Sequence, residues 1–547
     1  MIDKSFADIK NSNGICLKDC LTYEGQYYWW YDETAINADL IYDDVRGYGI
    51  FKSIQQFIIC HFPIGLWFIY QFMHISLCVI DKLFDKKGDT QNSNQDILLA
   101  RSHSGRWEYK TNPDTGVRYL TSRDYEEIFH ELPSDVKPLI VYEDYPIPTT
   151  VLSYITIKRN SSFNVLPLMK YWSRDIWKRE RDAMKYFKTV YSQFINDDTW
   201  VTECSELLKI DKDKFKKLFT YHSRCSFPLC VQHHELMERL ITDMHPSILL
   251  AACEQSYLGR GWIYVAKEHQ IPIIGLQHGV MTPSDYLYFN HSLADMQLEN
   301  GKAFPTPDTM LVWGQKDAEM LTDIAGFPEK TVIPIGNPKF DYMKQIIAGN
   351  VYSKEKYFEK HGIESSAKVI IWATQLQVFN TSENDEYITD IFKAVSEIPN
   401  AVLIVKPHPL DPDKLIDLIS KQIQKSDIRV ILEDKNSDTI EQIYVSDILI
   451  IQNSTVGLMA VALDKPLICL DYTQNPDFAR YIADGVGLGV YKGDDLHKNI
   501  TSLLLDDSKQ AQYREQYISQ KLSKLDGEAS RRARDIITNL CSKNKED

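Results

Sequence analysis

Two short runs in the second half of the chain have the residue types of a phosphate site. The first is Lys406-Pro407-His408-Pro409. A lysine ammonium meets phosphate as a point charge, and a histidine two residues on donates to it or protonates a departing phosphate. The prolines fix φ and remove backbone donors, so the run reads as a stiff knuckle that ends a strand. The second run is Asn453-Ser454-Thr455, followed by the apolar stretch from Val456 to Leu463. Ser454 or Thr455 suits a helix N-cap, and the free N–H groups of such a helix start attract phosphate. Gly457 lets a ligand or a neighbouring backbone come close. A surface turn without a ligand is the alternative for the first run, and capping alone explains the second equally well. Their weight comes from sharing one position, the carboxyl ends of apolar runs.

Other polar residues fall at the same kind of place. Cys253-Glu254-Gln255, Gln277-His278-Gly279 and Thr374-Gln375 each follow an apolar run. A carboxylate or imidazole opposite a donor phosphate is where a base for an acceptor hydroxyl belongs. Glu254 suits that role by position, with a capping or salt-bridged carboxylate as the alternative. His278 suits it because Gly279 frees the backbone to turn beside it. Gln277, Gly279, Trp313 and Asn337 are placed on the acceptor side of the cleft, and Thr374 and Gln375 on the donor side. Cys225, Cys230, His233 and His234 have the types of a zinc half-site, but their spacing matches no closed four-ligand pattern. Ordinary buried thiols explain the two cysteines.

The elements that must position these residues can be read from apolar runs. Leu139 to Glu143, Ile248 to Ala252, Ile271 to Leu276 and Met310 to Trp313 form one set. Val369 to Ala373, Val402 to Val405, Ile428 to Leu432, Ile448 to Ile451 and Leu467 to Leu470 form another. Near-continuous apolar runs separated by helical patterns are what a parallel sheet covered on both faces requires. The expectation is α/β, with two successive doubly wound sheets and ligands beyond the carboxyl ends of the strands. Domains are drawn at 1–95 (an N-terminal extension), 96–336, 337–510 and 511–547. The last segment, helical and charged, is expected to return to the first domain, and the hinge is expected near Gly336 to Asp341.

With 547 residues the chain exceeds the roughly 250–300 that a single core supports. Its 44% hydrophobic and 25% charged residues are those of a folded body. A net charge of −15, without a basic block, speaks against nucleic acid. Ten scattered cysteines and a start without a basic or apolar leader suit a reducing cytosol. Phe57 to Ile80 holds no Asp, Glu, Lys or Arg and would reach roughly 36 Å as a helix, enough to span a bilayer. His61, Pro63, Gly65, Gln71, His74 and Ser76 oppose insertion, so a helix lying in the interface or a buried helix are the alternatives. The polar stretch Gly88 to Asn94 reads as a linker.

GLQHG at 275–279, PDTMLVWG at 307–314, IPIGNPKFD at 333–341, VKPHP at 405–409 and NSTVGLMAVALDKPLI at 453–468 together resemble the surface-polysaccharide transferases of GT-B fold. Capsule-polysaccharide Kdo transferases, polysialyltransferase-like proteins and CDP-glycerol glycerophosphotransferases are the groups meant. The resemblance covers about residues 240–475. It implies two Rossmann-like domains facing a cleft, and a nucleotide-linked donor (CMP-, CDP- or UDP-) held by His408 and Pro409 and by the Ser454-Thr455 loop. It also implies catalysis without a bound metal or other cofactor. Met459-Ala460 stands where many relatives carry Glu-Ala, and the acidic base motif of bacterial sialyltransferases is absent. The expected activity is transfer of a sugar or polyol phosphate to a glycan or lipid-linked acceptor at the cytoplasmic face of the cell membrane. A sugar-nucleotide 2-epimerase or hydrolase and a non-catalytic scaffold are the alternatives.

Overall fold

In the computed structural model, the described residues are 6–28, 30, 63–84, 95–111, 118–144, 148–223, 227–281, 304–375, 381–408, 411–452, 454–472 and 479–543. Pro409, Asn453, Cys225, residues 57–62 and the 88–94 linker lie outside them.

Two parallel sheets organise the chain. The strands of the first are β1 (Asp96–Ser102), β4 (Val136–Tyr142), β5 (Val165–Pro167), β6 (Ile248–Ala252), β7 (Ile273–Leu276), β8 (Thr309–Val312) and β9 (Val332–Pro334), in the order β9-β8-β7-β6-β1-β4-β5. An antiparallel hairpin, β2 (Trp107–Thr111) and β3 (Arg118–Ser122), rises from the end of β1. The second sheet holds β10 (Lys368–Ala373), β11 (Ala401–Lys406), β12 (Arg429–Leu432), β13 (Ile448–Ile451), β14 (Leu467–Leu470) and β15 (Gly487–Val490), in the order β12-β11-β10-β13-β14-β15. Both sheets start at an inner strand and then grow outward in both directions, which is the doubly wound order. The two-domain α/β expectation therefore holds.

The apolar runs are continuous because each strand feeds two cores. Val369 and Ile371 pack on one side of the second sheet, and Ile370 and Trp372 on the other. Leu449 and Ile451 divide from Ile448 and Ile450 in the same way. At roughly 25 cal/mol per Å² of apolar surface, burial on both faces leaves no position on such a strand for a charge without a partner.

The N-terminal region packs on the body of the chain. Helix α1 (Pro63–Leu83) lays Tyr70, Met73, Leu77 and Ile80 into the core of the first sheet. Its polar residues have protein partners: His74 Nδ1 lies 3.0 Å from the Met169 carbonyl, and Asp81 pairs with Lys158 at 2.8 Å. Among the described residues no helix is long and apolar enough to cross a membrane, so a span is not found there. The segment is apolar because one face is core. The other face is exposed: Phe68, Phe72, Ile75, Val79 and Leu83 are 49 to 71% accessible.

Residues 6–30 pack elsewhere, on a helical layer of α2 (Arg174–Ile195), α3 (Asp198–Leu208), α4 (Lys212–Tyr221) and α5 (Phe227–Met244). Phe6, Leu17, Tyr28 and Trp30 join Phe187, Trp200, Phe215 and Phe227 there. Helix α6 (Tyr257–Glu268) follows β6. The final helix, α7 (Ala529–Lys543), inserts Ala533, Ile537 and Cys541 into the core of the first sheet after the chain has completed the second.

Candidate active site

Doubly wound sheets leave a crevice where neighbouring strands diverge to opposite sides. In the first sheet that point lies between β1 and β6, in the second between β10 and β13.

Beyond β1 the chain turns through His103 to Arg106. Arg106 Nε donates to Asp124 Oδ2 at 2.6 Å, its Nη2 to Asp124 Oδ1, and Lys339 Nζ lies 3.6 Å from the same carboxylate. Arg106 Nη2 also reaches the His278 carbonyl at 3.4 Å. The cluster thus joins the β2–β3 hairpin, the end of β7 and the crossing segment between the sheets. Burial opposes charge on Asp124, but Arg106 and Lys339 win and hold its carboxyl down at about 2. Burial, helped by Arg106, lowers Lys339 to about 8 and His278 to about 3. Burial and Arg101 lower His103 to about 4. Both imidazoles are neutral at physiological pH. The Nε2 of His278 lies 3.3 Å from Gln255 Nε2, and its Nδ1 has no hydrogen-bond partner among the described residues.

Glu254 is not in the crevice. It has no accessible surface, and its Cγ lies 3.1 Å from where a Cβ on Gly275 would stand. The turn into α6 drives it inward. Cys253 takes a φ of +58°, and a Cβ on Gly259 would come within 2.4 Å of the Cys253 carbonyl. No acceptor hydroxyl reaches Glu254 in this arrangement, so the base role assigned to it by position is corrected.

Gln277 and Trp313 are also struts. Gln277 Oε1 accepts from Trp313 N at 2.7 Å, its carbonyl accepts from Trp313 Nε1 at 3.1 Å, and its Nε2 donates to Asp317 Oδ2 at 2.9 Å. Asp317 in turn pairs with Lys521 at 3.0 Å. Asn337 is buried, and its Oδ1 accepts from Lys339 N at 3.1 Å, which starts the turn presenting Lys339. Gly279 is half-buried, has open space where a Cβ would stand, and does not adopt positive φ. Of these four acceptor-side residues, only Gly279 borders open space.

On the second sheet, Thr374 follows β10. Its hydroxyl donates to Asp411, and His408 N donates to Thr374 Oγ1 and to Asp411 Oδ2, both at 3.0 Å. The knuckle is therefore held by a threonine and an aspartate. Gln375 stands half-buried beside it. Lys406 is buried, and its ammonium donates to the carbonyls of Pro407 at 3.0 Å and Lys435 at 2.7 Å. It ties the loop after β12 to the knuckle, which corrects its assignment as a phosphate contact. His408 is half-buried; burial pushes its imidazole below the usual range, and Lys406 and Arg123 add to this against Asp411.

Ser454 is half-buried and Thr455 exposed at the end of β13. Ser454 Oγ accepts from Val456 N at 3.3 Å, and Tyr481 Oη donates to the Ser454 carbonyl at 3.1 Å. What comes close to Gly457 is the Tyr481 ring, 2.7 Å from a Cβ built there. That glycine serves packing.

Arg123, just past β3, is among the cations that lower the His408 imidazole, which brings the hairpin of the first sheet near the knuckle of the second. The zinc half-site reading dissolves among the described residues. Cys230 donates to the Phe227 carbonyl, His233 Nε2 lies 2.9 Å from Glu143, and His234 has different partners. Sequence reasoning missed His103, Arg106, Arg123, Asp124, Lys339 and Asp411. The first four sit in the turns that flank the β2–β3 hairpin, next to strands whose charges disguised them.

Among curated proteins none matches the chain. Several solved structures align with most of the chain. The UDP complex of Staphylococcus aureus MnaA is 13% identical, covers 82% of this chain and 97% of its own, and has a TM-score of 0.48. The UDP-GlcNAc 2-epimerase of Neisseria meningitidis is 13% identical over 81% and 100%, with a TM-score of 0.46. The wall teichoic acid polymerase TagF is 13% identical over 88% and 98%, with a TM-score of 0.44. The sequence itself is more decisive than these shapes, because the family model for CDP-glycerol:poly(glycerophosphate) glycerophosphotransferase matches residues 255–539, more than half of the chain. The chain belongs to that glycerophosphotransferase family.

Proposed function

We propose that the protein transfers a polyol phosphate, in the first instance glycerol phosphate, from a cytidine-diphosphate-linked donor to a hydroxyl of a growing surface polymer. The observation that carries this reading is the pairing of Arg106, Asp124 and Lys339 beside His278, opposite the His408 knuckle. Phosphoryl transfer needs positioning and charge stabilisation more than covalent help. Arg106, Arg123 and Lys339 supply the cations.

The acceptor oxygen attacks the phosphorus that bears the polyol, and the bond from that phosphorus to the bridging oxygen breaks. The electron pair leaves with the nucleoside monophosphate. The acceptor proton passes to Nδ1 of His278. The Gln255 side-chain nitrogen lies 3.3 Å from His278 Nε2, and turning that amide over so that Oε1 accepts from Nε2–H leaves Nδ1 its lone pair. His408 donates to the departing phosphate, and Ser454 and Thr455 line its place with hydroxyls.

No cofactor and no resident metal enter this transfer step. The exposed apolar stripe of α1 supports docking on a membrane surface, where a polymer or lipid-linked acceptor is held, on the cytoplasmic side. The test is a thermal-shift series with CMP, CDP, UDP and CDP-glycerol, with and without EDTA, since a ligand at 100 times its Kd adds about 2.7 kcal/mol. Stabilisation by the cytidine nucleotides, insensitive to EDTA and lost in His408→Ala, is expected. Stabilisation by UDP alone would redirect the proposal to a sugar nucleotide.

A further inference from the structure

Away from the crevice, three donor atoms of the helical layer converge between α5 and α6. His234 Nε2 lies 3.2 Å from Glu268 Oε2 and 3.6 Å from Glu238 Oε1, and all three donor atoms fall within 4.8 Å of one another. Zinc bonds of about 2.0–2.1 Å place tetrahedral donors roughly 3.3–3.4 Å apart, so the two histidine–carboxylate separations bracket a zinc-sized gap. His234 and Glu238 are one helical turn apart on α5, and Glu268 ends α6, where free carbonyls also favour a cation.

The surroundings have the layout of an outer ligand shell. His234 is buried, and its other nitrogen, Nδ1, lies 3.3 Å from the Tyr28 hydroxyl. Glu238 has both oxygens 2.9 Å from His269 Nε2. A ligating histidine oriented through its second nitrogen, with a ligating carboxylate held by a further donor, is the arrangement that fixes first-shell ligands.

We infer that His234, Glu238 and Glu268 form a divalent transition-metal site, best matched to zinc, with Tyr28 and His269 as its supporting shell. Three protein donors leave a fourth position for water. The site clamps α5 to α6 and to the Tyr28 segment. Helix α6 starts just after Gln255, which touches His278, so the clamp fixes the far end of the helix that steadies the proposed base. It takes no part in the transfer step.

The test uses the full chain, stripped with a chelator and titrated with zinc and with cobalt(II). One zinc per chain, a higher melting temperature on zinc addition, and the intense visible bands of four-coordinate cobalt are expected. Tyr28→Phe should weaken zinc about 10-fold and the partly exposed Glu238→Gln by more than about 100-fold. Zinc-free Glu238→Gln should melt with the stripped wild type, which separates ligand loss from misfolding. Failure to bind stoichiometric zinc, six-coordinate cobalt spectra, or unchanged affinity in Glu238→Gln would each overturn the site and leave a proton between these groups in place of a metal.

Discussion

The two walls of the crevice are built on opposite plans. The wall on the first sheet is a set of interlocked charges, Arg106, Asp124 and Lys339, drawn from a hairpin and a crossing segment far apart in sequence. The wall on the second sheet is a local knuckle of hydroxyls and backbone, in which Thr374 and Asp411 hold His408 and Lys406 is tied to carbonyls. The difference implies a division of labour. Paired charges of pre-set strength suit the changing charge of a reaction, and a locally braced cradle suits the constant shape of a donor.

The largest effect should come from His278→Ala, with turnover falling about 10²- to 10⁴-fold while donor affinity is kept. A radiolabelled-donor transfer assay beside a binding titration checks this, and loss of donor affinity instead would move His278 to the other wall's role. Next is Asp124→Ala, which leaves two cations without their carboxylate and should cost about 3–5 kcal/mol of stability in chemical denaturation. Thr374→Val should cost about 1–3 kcal/mol, because it leaves the buried Asp411 short of a donor, and should weaken donor binding without a comparable loss of turnover at saturation. If turnover fell and affinity held, the division between the walls would fail.

The pH profile sharpens the same contrast. His278 and His103 are lowered to about 3 and about 4, and Asp124 to about 2. Between each folded value and the higher unfolded one, the unfolded chain binds more protons, so stability rises with pH across that window. Acidification should therefore cost stability from about pH 6.5 downward through the histidines, then below about pH 4 through Asp124. Equilibrium denaturation from pH 7 to 4 should show a shallower loss in His278→Asn. The smallest effect on the fold should be Phe72→Asp, within about 0.5 kcal/mol at its exposed position, but with loss of flotation on anionic vesicles. Flotation unchanged in that variant would remove α1 from membrane docking.

Both sheets were largely legible because strands covered on two faces must be apolar at every position, as Val369 to Ala373 and Ile448 to Ile451 are. β1 was not, since Asp96 and Arg101 interrupt its pattern. Arg101 is tolerated there because it pairs with Glu143, 42 residues on, at 2.5 Å. Missing β1 hid the switch point it forms with β6 and everything that hangs on the following hairpin. The His408 loop was legible because proline is a local device; the Ser454 loop was legible as a polar strand end, although the helix after it has Val456 at its N-cap and no side-chain cap bond. The direction of the Lys406 and Glu254 side chains was not, because each is set by contacts from other strands.

The sequence by itself determined the two-sheet architecture, the strand-end placement of His278, His408 and Ser454, and membership of a transferase group. Apolar period and turn chemistry are written in neighbouring residues. Only the tertiary structure decided that Glu254 faces the core, that Lys406 bonds carbonyls, that α1 shares the first core, and that Arg106, Asp124 and Lys339 meet. Those outcomes depend on which distant groups can neutralise a buried charge or fill a buried face. That balance is struck across the folded chain, where an unpaired charge costs several kcal/mol and a paired one is held in place.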